Sequence, residues 1–357
     1  MRILGIETSC DETAVAVVEK GRALLSSIVG SQVAFHAPFG GIVPEIASRQ
    51  HLLALQPIYR QALAKAKTTP KDLDAIAVTV GPGLAGALLV GVNFAKGLAL
   101  GLNIPLLSVN HLEGHIYAAW LEDGPTPMDK PGLPLVCLLA SGGHTELILM
   151  RGHGRQYLLG QTRDDAAGEA FDKAARVLGL GFPGGPEIQR VAETTDLSAA
   201  KKERFPWARM GDSLDFSFSG VKTALRRRAS ELGVGPHLEE GSEVVANLAA
   251  GFQNAVVHAL VEKTLAAVRQ HNARGVLLGG GVAANSLLRL EMVRRSPVQV
   301  VVPRPDLCTD NGAMVAAAAF FRAPTPVSLS TRMDQDILPG LRLGLDSKDV
   351  PRHLHSA

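Results

Sequence analysis

Arg2-Ile3-Leu4-Gly5-Ile6-Glu7-Thr8-Ser9-Cys10-Asp11-Glu12-Thr13-Ala14-Val15-Ala16-Val17-Val18-Glu19 opens the chain as two apolar runs around a polar turn. Residues 2–7 and 14–19 read as strands, residues 8–13 as the turn between them, and residues 22–29 as a third strand after the Lys20-Gly21 turn. Helical and strand patterns then alternate: a helix over 44–65, a strand over 75–80, a helix over 84–100, a strand over 104–109 and a helix over 111–121. After a proline-rich stretch at 122–134 the same grammar restarts. Strands at 135–140, 145–150 and 155–161 flank the turn Ser141-Gly142-Gly143-His144. Helices at 166–179 and 243–271 follow, then short strands at 276–278 and 298–302 around a helix at 284–295, and a last helix ending near Arg322. Two meanders in the same element order predict a duplicated α/β fold, each mixed sheet covered by helices. Such a duplication sets two hairpin turns across a cleft that can receive a nucleotide phosphate.

Length and composition agree. At 357 residues two domains are expected, and 46% hydrophobic with 20% charged residues is ordinary for a globular protein. Aromatics are only 4%, so the cores must be aliphatic. A net charge of +2 excludes a global field for nucleic acid, so any RNA contact must be local. Cys10, Cys137 and Cys308 are odd in number and far apart, which argues against a disulfide framework and for a reducing compartment. The chain opens into a strand without a basic-then-apolar leader, and the apolar stretch 84–102 is broken by Asn93, Lys96 and glycines. A soluble, cytoplasmic protein with no membrane partner is the expectation.

His111-Leu112-Glu113-Gly114-His115 places two histidines four residues apart at the start of a helix, on one face, where two imidazoles can share a metal. A zinc peptidase needs Glu beside the first His, whereas Glu113 would point off that face. Two ordinary helical histidines remain the alternative. Three turns follow apolar strands: Ser9 with Asp11 and Glu12, then 141–145, and Gly279-Gly280-Gly281-Val282-Ala283-Ala284-Asn285. Glycine turns at strand ends let the backbone approach an anion, and none of these is a Walker A loop. Asp172, ahead of Pro183-Gly184-Gly185-Pro186, could accept from ribose hydroxyls, with Gly185 flat against a ligand, or simply belong to a capped surface helix. Asp310 or Asn311 caps the last helix, and for Asp310 the cap is the commoner role against a metal ligand.

These motifs, with Glu169-Ala170-Phe171-Asp172-Lys173, Phe216-Ser217-Phe218-Ser219-Gly220 and Thr309-Asp310-Asn311-Gly312-Ala313-Met314, occur in one order. From about Ile3 to Phe320 the chain resembles the tRNA N6-adenosine threonylcarbamoyltransferase family, once described as O-sialoglycoprotein endopeptidases, in its bacterial branch. The resemblance implies an actin-like (ASKHA, ribonuclease H-like) ATPase fold with two lobes around a nucleotide cleft. The lobes would be residues 1–122, completed by the helix near 310–322, and 135–309, with a linker at 123–134 and a tail at 323–357.

It also implies transfer of threonylcarbamoyl from threonylcarbamoyl-adenylate to N6 of the adenosine 3′ of the anticodon in tRNAs reading ANN codons, with release of AMP. ATP or ADP would share the donor's cleft. A divalent metal, iron (Fe(2+)) first with zinc or manganese compatible, would sit on His111, His115 and Asp310, which replaces the cap reading of Asp310. The nucleotide would touch Leu139, Ala140, Ser141, Gly142, Gly143, Asp172, Gly185 and Asn285, and Gln189 stands where the family often has an acid. Asp11, with Glu12 as its weaker rival, is the candidate for proton transfer or for organising the phosphate side, and His144 for a hydrogen bond to the metal-bound group. Lys201, Lys202 and Arg204, and Arg226, Arg227 and Arg228, are candidate tRNA contacts. A non-catalytic paralogue and a small P-loop ATPase are the implied partners, with residues 44–65 as a dimer surface. A metallopeptidase, a sugar or acid kinase of the same superfold, and a non-catalytic nucleotide-binding subunit of a tRNA-modifying complex are the rival readings.

Overall fold

The computed structural model describes residues 1–195, 203–234, 242–322 and 335–346. They form two compact units, Met1–Lys130 with Pro303–Gly344, and Pro131–Val302 with the strand Leu345–Asp346.

In the first unit, β1 (Arg2–Glu7), β2 (Glu12–Glu19) and β3 (Ala23–Ser31) form an antiparallel meander. β4 (Ala75–Gly81) and β5 (Leu106–Asn110) extend it in parallel, in the order β3-β2-β1-β4-β5. Alternation of side chains along β1 sorts the two faces. Leu4 and Ile6 join one core with Leu55 and Ile58 of α1 (Pro44–Lys65) and Val92 and Ala95 of α2 (Ala85–Leu102). Gly5 points the other way. A Cβ there would lie 2.0 Å from the Gly312 carbonyl oxygen, so glycine is what lets the final helix lie on the sheet. Glu7 shares the Gly5 parity, and so faces the side that carries α3 (His111–Tyr117) as well, which packs on that final helix through Gly114 and Met314.

The second unit repeats the plan. β6 (Leu135–Ala140), β7 (Thr145–Gly152) and β8 (Arg155–Gln161) form the meander, and β9 (Gly275–Gly279) and β10 (Gln299–Val301) add in parallel beyond β6. β11 (Leu345–Asp346) pairs in parallel with β8. Its helices are α4 (Ala167–Val177), α5 (Gly184–Ala192), α6 (Ser219–Glu231), α7 (Glu243–Gln270) and α8 (Ser286–Arg295), while α9 (Gly312–Arg322) belongs to the first unit. α2 and α7 are the two described helices long and apolar enough to cross a membrane. α7 is mostly buried, as a core helix is, whereas α2 leaves Leu89 and Leu100 exposed.

The boundaries differ from the sequence expectation in three ways. Residues 303–309 belong with the first unit rather than the second, where the Arg304 N–H bonds the Glu122 carboxylate at 2.7 Å. Residues 335–344, within the stretch expected as a tail, belong with the first unit, where Ile337 and Leu341 pack on the first core and the Leu338 N–H bonds the Val80 carbonyl at 2.7 Å. The stretch expected as linker is divided at Lys130 and Pro131.

Candidate metal centre

β5 ends at Asn110, whose side-chain oxygen accepts from the Leu112 and Glu113 N–H groups at 2.9 and 3.4 Å and so starts α3 at His111. One turn then stacks His111 and His115 on a single face, ring centroids 4.7 Å apart. Their Nε2 atoms lie 3.6 and 3.1 Å from an Asp310 carboxylate oxygen, and one ligand atom from each of the three residues lies within 4.8 Å of the others. Asn311, rather than Asp310, caps α9, accepting from the Met314 N–H at 2.9 Å. Glu113 points off the ligand face and pairs with Arg322 at 2.8 Å. That removes it from the place a zinc peptidase's general base would occupy.

Sequence reasoning missed Glu7. Fully buried at the end of β1, it accepts from the Ser9 N–H at 2.6 Å and the Thr79 hydroxyl at 2.5 Å, and it lies 3.2 Å from His111 Nδ1. With a metal bound, a proton kept on Nδ1 by this carboxylate would leave the Nε2 lone pair for the ion, the usual support for a metal-bound histidine. An acid in a strand buried on both faces was the available signal. Burial pushes the Glu7 carboxyl up, but the His111 charge and hydrogen bond pull it down further, so it stays ionised. Burial opposes charge on His111 too, yet Asp310 and Glu7 raise it to about 9. The cluster therefore attracts a cation.

The residues fit a divalent metal. His115 is 1% exposed, and among the described residues neither ring nitrogen receives a hydrogen bond, although Nε2 faces Asp310. Two imidazole nitrogens and a carboxylate oxygen suit iron, zinc or manganese.

Three more acids or near-acids line the adjoining turn. Cys10 has its thiol pushed well up by burial and by Asp11, Asp310 and Glu7, which keeps it protonated. Burial, then the Asp310 charge, raises Asp11. Burial raises Glu12 to about 7, against its 2.8 Å bond from the Ser31 hydroxyl.

The expected nucleotide residues all lie in the second unit. Leu139 and Ala140 end β6 with buried side chains, so only their main chain is on offer. The Ser141 N–H is committed to the His144 carbonyl at 2.8 Å, and the His144 N–H reaches Ser141 Oγ at 3.2 Å. Gly142 and Gly143 are exposed, and a Cβ on either would meet no described atom within 4 Å, as at Gly185. Gly280 differs: it has φ +87°, and a Cβ would lie 2.4 Å from the Ala140 carbonyl oxygen. Asp172 Oδ1 accepts from the Gly184 N–H at 2.7 Å, Gln189 Oε1 from the Ser286 N–H at 2.9 Å. Asn285 caps α8 through the Leu288 N–H at 3.0 Å and donates to Gln253 at 2.8 Å. These three side chains thus tie α5 and α8 in place as well as being candidate ligand contacts.

Of the basic clusters, Lys201 and Lys202 lie outside the described residues. Arg228 is held by Glu203 at 2.9 Å and by Glu231, and Arg227 by Glu231 at 3.6 Å, so that cluster is partly neutralised.

Paired meanders with parallel extensions define an actin-like, ribonuclease H-like α/β protein of the ASKHA class, carrying a His-His-Asp cluster in its first unit. Component A of (R)-2-hydroxyglutaryl-CoA dehydratase from Acidaminococcus fermentans shares the fold, with a TM-score of 0.51, 14% identity, and 90% of this chain and 98% of that one covered. A family profile described as tRNA N6-adenosine threonylcarbamoyltransferase matches residues 23–317, and the chain belongs to that family. Proteins of this name from Thermomicrobium roseum and Dehalococcoides mccartyi (strain BAV1) are 55% and 50% identical. The alignments cover 94% and 96% of this chain and 95% and 99% of theirs.

Proposed function

We propose that this tRNA N6-adenosine threonylcarbamoyltransferase takes its acyl group from threonylcarbamoyl-adenylate and delivers it to the adenosine 3′ of the anticodon in tRNAs reading ANN codons. The N6–carbonyl bond forms, the bond from that carbonyl to the adenylate phosphate oxygen breaks, AMP leaves with the electron pair, and one N6 proton is released. The observation that carries the reading is the His111–His115–Asp310 cluster, its two histidines buried, in a chain of this family.

His111, His115 and Asp310 would hold one divalent ion, Fe(2+) first, with zinc or manganese acceptable to the same donors. Bound there, the ion supplies Lewis acidity and a template for the donor's oxygen atoms. Glu7 keeps the His111 proton on Nδ1. N6 is a poor nucleophile because its lone pair is delocalised into the ring, so orientation and proton removal carry much of the burden. Asp11 and Glu12 are the acceptors, and Glu12, at about 7, is the better matched to neutral pH. The main-chain N–H groups of Gly142 and Gly143 take the phosphate, Ser141 closing the turn behind them. Asp172, Gly185, Gln189 and Asn285 hold the adenosine, and His144 remains a candidate for the transferring group.

A non-catalytic paralogue and a small P-loop ATPase complete the working assembly. The exposed Leu52, Leu53 and Leu89 of α1 and α2 support a subunit contact there. The protein works in the cytoplasm, in keeping with three cysteines that are odd in number and far apart in the chain.

The test is a single-turnover reaction of the metal-loaded chain and these partners with unmodified tRNA and threonylcarbamoyl-adenylate, nucleosides being read by mass spectrometry. Modified adenosine that vanishes with His111→Ala is expected. No product from a wild-type chain that binds metal and tRNA overturns the reading.

A further inference from the structure

Three successive carbonyls of the turn after β1 are each held from outside it. Ser9 accepts from the Leu84 N–H at 2.8 Å, Asp11 from the Gln32 N–H at 3.1 Å, and Cys10 from His51 Nε2 at 3.0 Å. Only the last of these donors is a side chain. His51 is fully buried on α1, and both of its nitrogens are engaged. Its Nδ1 lies 2.8 Å from the Thr13 hydroxyl and 3.3 Å from Gln32 Nε2.

The direction of this network follows from its acceptors. A carbonyl only accepts, so Nε2 of His51 carries the proton. Gln32 Nε2 also lies 3.4 Å from the Ala47 carbonyl, which orients the amide with its N–H groups toward Ala47 and His51. Gln32 Oε1 then faces His36 Nε2 at 3.3 Å, and His36 Nδ1 accepts from the Val43 N–H at 3.3 Å. His36 and Gln32 are also buried, at 0% and 3% exposure. A charged His51 would set an Nδ1 proton against the Gln32 N–H, and burial already lowers the ring below its ordinary value.

We propose that His51 is a positioning residue for threonylcarbamoyl transfer: by donating to the Cys10 carbonyl as a neutral, Nε2-protonated ring, it fixes the main chain that aims the Asp11 and Glu12 carboxylates. The proposal rests on the transferase reading. Among the described residues the hydrogen bonds of His51 go to Cys10, Thr13 and Gln32 and not to His111, His115 or Asp310, so its loss separates aim from metal binding. Leucine removes the donor and the acceptor, whereas glutamine places an amide N–H near the position of Nε2.

The experiment measures kcat, donor KM, bound metal and melting temperature for the full metal-loaded chain in the transfer reaction, as wild type, His51→Leu, His51→Gln and Thr13→Val. His51→Leu should lower kcat by about tenfold or more, with donor KM within about twofold and metal content unchanged. His51→Gln should recover most of that loss, and Thr13→Val, which removes one hydroxyl donor from Nδ1, should cost about threefold. Wild-type kcat in His51→Leu overturns the proposal. So does an equal loss in His51→Leu and His51→Gln that tracks falling metal content or melting temperature, which would make the ring mere packing. Should His51→Leu not fold, an undiminished kcat in both His51→Gln and Thr13→Val counts against the proposal, and a Thr13→Val defect with full metal content supports it. An inactive wild type instead refutes the transferase reading, which distinguishes the two failures.

Discussion

The turns after β1 and β6 occupy the same place in two copies of one plan and are built from opposite materials. The first is held by hydrogen bonds from Leu84, His51 and Gln32 and carries carboxylates beside the His-His-Asp cluster. The second closes on itself through Ser141 and His144 and presents two exposed glycines with open space where a side chain would be. Ionisable groups respond to protons and metal ions, whereas backbone N–H groups do neither. The chain thus separates proton- and metal-dependent chemistry from anion binding, and variants of the two turns should fail in different ways.

The largest break should come from His115→Ala, which removes a metal ligand: transfer should fall by about 10³-fold together with the bound metal, the melting temperature staying near normal. Next, Glu7→Gln should lower metal affinity by about 10- to 100-fold, measured by competition with a chelator. The pH dependence sharpens this prediction. Metal-free His111 holds its proton up to about pH 9, so a metal must displace that proton and apparent affinity should fall as pH drops below 9. Gln at position 7 withdraws a charge that favours the proton, and should flatten that dependence.

Gly143→Val belongs to the other turn. Its side chain would enter open space, so folding and metal content should be kept while donor KM rises by about tenfold. Gly280→Val makes the contrast, since its Cβ would strike the Ala140 carbonyl and lower the melting temperature. The smallest effect is expected from Arg227→Glu. Glu231 already partners Arg227, so the salt slope of tRNA binding should change by less than about one unit.

Much of this contrast was legible in the residues. The apolar runs around 8–13 and 141–144, the helix over 44–65 and the histidine spacing are strong local patterns, and the structure follows them closely. α5 carries no helical signal at its start because Gly184-Gly185-Pro186 opens it, yet glycine is required there, since a Cβ on Gly184 would press on Asp172 at 2.5 Å. α6 is rich in arginine and buries only Val221, Leu225 and Ala229, a stripe too thin to stand out. Asp310 and Asn311 are adjacent and either can cap a helix, so only three-dimensional contact assigns the cap to Asn311. Glu7 and His51 act through partners 104 and 41 residues away, distances that no local pattern reports.

Transfer needs one ion on His111, His115 and Asp310. That requirement is tested most directly by stripping the chain with a chelator, reloading it with Fe(2+), Zn(2+) or Mn(2+), and following bound metal and modified adenosine together. One ion per chain is expected, with activity rising in proportion to it, and neither in His115→Ala. Full transfer by the metal-free chain, or a tightly bound ion retained by His115→Ala, would contradict it.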